Sequence, residues 1–179
     1  MRIEDVEERV YKAVVDARIR CRGEWWRDAA LEAVRRLTRA GFFRQAGSGG
    51  AARLVEIFAA EADVGPSEAL ALLAGAARQH FVDQVSSLAD RVRSGLEGAS
   101  RLALRDRGPR PAREGFPDRR AVAVARAAAE VMRYHTLAMA HTDAAFQSVE
   151  EVLAAAERQR ADLQRRASRA LGPEGDACS

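Results

Sequence analysis

Three histidines, His80, His135 and His141, and two cysteines, Cys21 and Cys178, are the side chains best suited to metal ligation, proton transfer or nucleophilic attack. Their spacing works against each use. His135 and His141 stand six apart, which turns them to opposite sides of a straight helix, and Glu130 precedes His135 by five. A helical di-iron centre needs Glu-x-x-His pairs with further carboxylates facing inward, and no such pair occurs. His80, with Asp83 one turn on, reads as a pair at the edge of a core. Neither cysteine has a histidine nearby in sequence, and there is no Gly-x-Ser-x-Gly elbow or phosphate-cradling glycine loop. The sequence therefore assigns no catalytic, cofactor-binding or metal-ligating residue, and the chain is expected not to be an enzyme.

Composition narrows the remaining classes. The chain has 179 residues, the size of one ordinary domain, with 47% hydrophobic residues and a formal charge of +3. Lys12 is the only lysine, so the basic character is carried by guanidinium groups, which suit carboxylates and phosphates. Two cysteines make no disulfide framework and fit a reducing compartment. The opening residues MRIEDVEERVYKAVV carry acids where a signal peptide needs a basic and then an apolar run. No stretch approaches the roughly 20 apolar residues of a membrane span. A cytoplasmic protein without a membrane partner is expected.

The elements that would position any site are helical throughout. Val6, Val10, Ala13, Val14, Ala17 and Cys21 share one face of a helix over residues 3–22, and Trp26, Ala30, Val34 and Leu37 share one face of a second, over 25–40. Gly41 stands where a left-handed cap belongs. RQAGSGG, residues 44–50, reads as a flexible polar loop, and a short third helix follows with Leu54, Ile57, Phe58 and Ala62 on one face. Pro66 opens a long helix to about residue 104, whose apolar positions from Leu70 to Ala99 step mostly by three and four. DRGPRPAREGFP, residues 106–117, is a linker by composition. Asp118 then caps a final helix to Leu171 that contains no glycine or proline, with a candidate break at Thr142-Asp143. Unbroken, that helix would measure roughly 80 Å.

The segment IFAAEADVGPSEALALL, residues 57–73, resembles the helix-turn-helix of bacterial regulators, with Ala59 as the small residue, a break at Asp63-Val64-Gly65 and a following helix opened by Pro66-Ser67. DAALEAVRRLTRAGFF, residues 28–43, is similar to the first helix of TetR-type regulators. The resemblance implies DNA reading by the helix after the turn. Two features depart from the pattern: a glycine is usual where Asp63 stands, and residues 50–90 hold two arginines against six carboxylates, the wrong sign for a phosphate-facing element. Arginine concentrates instead in residues 101–120 and 158–169.

Together these features give an all-α fold of about five helices, with short N-terminal helices packed on a hairpin of two long ones. Four segments follow: a bundle over 1–105, the linker 106–117, the long helix 118–172 and a disordered tail 173–179. The last helix outruns the one before it, so its apolar stripe is expected to lack an intrachain partner. The function expected is that of a non-enzymatic interaction protein, self-associating or docking as an accessory subunit through Val152, Leu153, Leu163 and Leu171. Arg158, Arg165 and Arg166 would pair with an acidic protein or with phosphate. The alternative is a nucleic-acid-binding protein, either a helix-turn-helix regulator or a helical subunit of a nucleoprotein complex. No cofactor is implied.

Overall fold

A computed structural model describes residues 3–21, 26–107 and 119–170 and is all-helical, with five helices among them. These are α1 (Ile3–Arg20), α2 (Trp26–Arg39), α3 (Phe42–Ala62), α4 (Pro66–Arg107) and α5 (Arg119–Ala170). Trp25, Asp118, the linker from residue 108, Leu171 and the tail lie outside the described residues. At 1.5 Å of rise per residue, α4 and α5 are about 63 and 78 Å long, so they form a hairpin far larger than the helices beside it. No described helix is long and apolar enough to cross a membrane.

The three shorter helices make a head on one end of that hairpin. Val10, Val14 and Ala17 of α1, Ala30, Val34 and Leu37 of α2, and Leu54 and Phe58 of α3 are buried, as the helical periodicity of each stretch requires. Trp26 closes the edge of the core, its ring edge-on to Phe58 at 5.9 Å between centroids. Arg36 fastens α2 to α1 by donating to Asp16 at 2.6 Å and, within its own helix, to Glu32 at 3.0 Å. Gly41 adopts the left-handed conformation, φ 66°, and so ends α2 where expected.

The segment 44–50 is helical, contrary to its loop-like composition. Phe42 and Phe43 are both buried, and with them anchored the following residues continue in α3. The Gly-Ser content allows a bend instead of a loop. Gly47 takes φ 55° and ψ −145°, a combination open essentially to glycine alone, and kinks the helix there. Gly50 then lets the fully buried Phe42 ring lie against the backbone, because a Cβ at that position would come within 2.9 Å of the ring.

Asp63 ends α3 in the left-handed conformation, φ 54°, and Pro66 occupies the first turn of α4. The α4–α5 hairpin is antiparallel. Its register is marked by Ser67 Oγ, which donates to Glu157 Oε1 at 2.8 Å, and by Gly95, whose missing Cβ would stand 3.2 Å from Val124 Cγ1. Helix α5 crosses the suggested Thr142-Asp143 break without interruption. Thr142 is buried and donates its hydroxyl to the Ala138 carbonyl at 2.8 Å, so it satisfies itself within the helix and does not cap a new one.

Candidate interaction surface

Helix α5 is fixed to the head by one run of side chains. Thr142, Ala145, Phe146 and Val149 are buried, and the Phe146 ring lies 5.4 Å from Phe43 between centroids. Leu153 is the last member of this run. It packs against the core margin, which removes it from the exposed stripe expected of Val152 and Leu153 together. Adjacent residues on a helix point about 100° apart, so the two cannot share a face. Val152 turns outward and is 66% exposed.

Beyond Glu157, opposite the start of α4, the helix continues through residues 158–170, about 20 Å, with no other described helix beside it. From Ala154 to Arg169 every residue is exposed except the half-buried Ala161. Leu163 is 57% exposed, a large apolar side chain in water. It stands eleven residues from Val152, close to three full turns, which places both on one side of the rod. Leu171, the fourth expected contact, lies outside the described residues.

The overhang is strongly basic. Residues 158–169 contain five arginines against one aspartate, so this short segment carries more net positive charge than the whole chain. Arg158 and Arg165 are seven apart on one side, and Arg166 flanks the Val152–Leu163 strip. Arg158 Nε donates to the Ala154 carbonyl at 3.2 Å, and Arg165 pairs with Asp162 on the preceding turn. Both contacts are solvent-exposed and local, the kind worth little and readily exchanged for a carboxylate or phosphate of a partner.

The histidines are distributed differently. His80 is buried, 7% exposed, in a small cavity with Thr38, Gln84 and His135. Burial lowers its pKa, and Arg39 and Arg35 reinforce the effect. Asp83, the partner expected one turn on, is exposed and accepts from Gln79 at 2.8 Å. His135 is lowered by burial and by Arg91. His141 lies on the surface beside Tyr134, Leu137 and Arg44 in a cleft of about 180 Å³ between the α2–α3 corner and α5. Among the described residues no three His, Cys, Asp or Glu side chains gather as metal ligands would. Burial, with Asp28 and Glu32, raises the pKa of Cys21, which keeps it a thiol.

At the α3–α4 turn, Asp63 supplies the left-handed residue that a helix-turn-helix takes from glycine. Past the turn the surface presents Glu68, and the Ser67 hydroxyl is engaged by Glu157. The extended two-helix arm at the far end of the hairpin escaped the sequence reading, although the three-four spacing of its apolar residues was visible there. No family model, curated protein or solved structure matches the chain.

Proposed function

We propose that this is a non-enzymatic helical interaction protein that docks onto an acidic protein partner through the free end of α5. One observation carries the reading: among the described residues, thirteen residues of continuous helix extend past the last intrachain neighbour, with Val152 and Leu163 on one side and five arginines around them. An exposed apolar strip with a charged rim is the arrangement of a helix made to be covered. The head supplies the rigidity, because Phe146, Val149 and Leu153 seat α5 in the turns that precede the overhang.

The same arginines would serve a phosphate backbone, and the test separates the two. Intact chain, a truncation after Glu157 and the triple variant R158E/R165E/R166E are compared by in-cell crosslinking with mass spectrometry, and each purified sample is assayed for nucleic acid by its absorbance ratio. The truncation point retains Phe146, Val149 and Leu153, so the fold is expected to survive. A protein partner crosslinked through residues 152–166 and lost from both variants supports the proposal. An unchanged set of crosslinks refutes it, and salt-sensitive nucleic acid carried only by the intact chain transfers the surface to nucleic-acid binding.

A further inference from the structure

The hairpin extends beyond the head as a two-helix arm, Val82–Ser100 of α4 against Arg119–Leu137 of α5, and Ala99 is its only buried residue. Two antiparallel helices bury one narrow stripe each, so such an arm leaves most of its apolar surface in water. That surface is organised. On α4, Val82, Val85, Ala89, Val92 and Leu96 follow one another in steps of three, four, three and four. On α5, Val122, Ala125, Ala129 and Met132 do the same. This is the spacing of a coiled-coil seam. Between the two rows runs an open groove floored by Leu88 and Ala128, with Arg93 its only charged lining residue and no side chain of α1–α3 contributing. The groove faces away from the head: His80, on the head side of α4, precedes Val85 by five residues, about 140° around the helix.

We infer that this face is the interface for a second copy of the chain, with the two arms side by side along a two-fold axis parallel to their length, α4 of each over α5 of the other. Size and charge both select this pairing. Four of the five α4 positions are large, three valines and a leucine about a central Ala89, whereas the α5 row has alanine at its two central positions, so the bulkier ridge of one copy seats on the trough of the other. An axis across the arm would stack α5 on α5 and α4 on α4, large on large and small on small.

Charge sorts the same way. The α5 half of the arm has Arg119, Arg120, Arg126 and Arg133 against Glu130, and the α4 half has Asp83, Asp90 and Glu97 against Arg91 and Arg93. Arg119, Arg126 and Arg133 repeat every seven residues along the outer edge of α5 with Glu130 among them, and Asp83, Asp90 and Glu97 repeat every seven along that of α4 with Arg93 beside Asp90 at 3.7 Å, so the first edge is net positive and the second net negative. With α4 over α5, each basic edge runs beside the partner's acidic edge; the crossed axis sets arginine against arginine. The arm is about 28 Å long and roughly 20 Å wide, so the face offers on the order of 550 Å² per copy and about 1,100 Å² in all, at the lower bound of a specific interface. Both heads lie on the outer faces, clear of the contact.

The test is sedimentation equilibrium of the full-length chain across micromolar concentrations. The expected result is a dimer that V85E/V92E converts to a folded monomer, with helical circular dichroism retained. R126E should weaken the dimer by about tenfold, and R126E/E97R, which restores the opposite-charge pairing between copies, should recover it. A monomer at 100 µM or above overturns the inference, as does a dimer indifferent to V85E/V92E and R126E. Truncation after Glu157 should leave the dimer intact. Dissociation on that truncation alone would move self-association to the C-terminal overhang, whereas a dimer that persists while the overhang captures no partner would refute the proposed function and leave the arm interface standing.

Discussion

Replacing Phe146 with alanine separates the anchored part of α5 from its free end. The side chain is 4% exposed and in ring contact with Phe43, so truncation removes a buried aromatic from the joint between α5 and the head. Phe→Ala changes of this kind cost about 3–5 kcal/mol, the lost ring–ring contact included. For a domain of this size each kcal/mol lowers the melting temperature by roughly 2–4 °C, so a fall of about 10 °C is expected. Leu163→Ala on the same helix is the internal control. Leu163 is 57% exposed, and alanine is at least as good a helix former, so its effect on stability should stay within about 0.5 kcal/mol. Both are read by circular-dichroism melting and urea titration at low micromolar protein. If Phe146→Ala costs less than about 1 kcal/mol, α5 is not seated on the head at Phe146, and if Leu163→Ala costs as much as Phe146→Ala, residues 158–170 are not a free overhang.

Two further substitutions test local geometry. Gly50→Ala should destabilise the chain by about 1–3 kcal/mol in urea titration despite the helix preference of alanine, because the new methyl would collide with Ala46 and the Phe42 ring. Gly49→Ala, which meets nothing within 4 Å, should be neutral or stabilising, and equal effects at the two positions would return residues 44–50 to a loop. Stability should level off above about pH 6.5, the value for an unfolded histidine, until the alkaline range in which the Cys21 thiol ionises more readily in the unfolded chain, and should fall as the pH drops below about 6.5. In that window the unfolded chain binds protons that buried His80 and half-buried His135 resist. His80→Gln should reduce the slope of melting temperature against pH between 6.5 and 5, and an unchanged slope would show that His80 titrates as in water.

The head was legible in the sequence because each short helix buries one face, and the positions that recur at helical spacing are the ones inside: Val10, Val14, Ala30, Val34, Leu54 and Phe58. Periodicity identifies an apolar face without saying what covers it. On α4 the run from Leu70 to Ala99 reads as one seam, yet the structure divides it. Leu70, Leu73 and Ala77 are buried in the core, while Val85, Val92 and Leu96 line the open groove. A straight helix drifts by about 20° per heptad against a strict seven-residue repeat, so over the roughly eight turns of this run a single pattern passes from one neighbour to another. Composition misled at residues 44–50 for a related reason. Glycine and serine weaken a helix locally, but the burial of Phe42 and Phe43 is a tertiary term that propensity does not contain.

The continuity of α5 connects the arm, where it pairs with α4, to the overhang. One end is alanine-rich with a net basic edge, and the other is arginine-rich and exposed at every described position but Ala161; between them Thr142, Phe146 and Val149 fix the rod on the head. Because the rod is unbroken, the orientation of the arm determines where the overhang points. A two-fold axis along the arm would place both overhangs at the same end of the dimer, side by side and parallel. Two weak basic contacts on one rigid frame then act at an effective concentration set by their separation, and avidity can exceed either contact by 10² or more, on the order seen for short linkers, without any new surface. The crossed axis would send the overhangs to opposite ends and forgo that gain on any compact acidic target. Partner affinity should therefore weaken in V85E/V92E although the overhang itself is untouched, and a partner that binds this monomer as tightly as the native dimer would show that the two surfaces act independently.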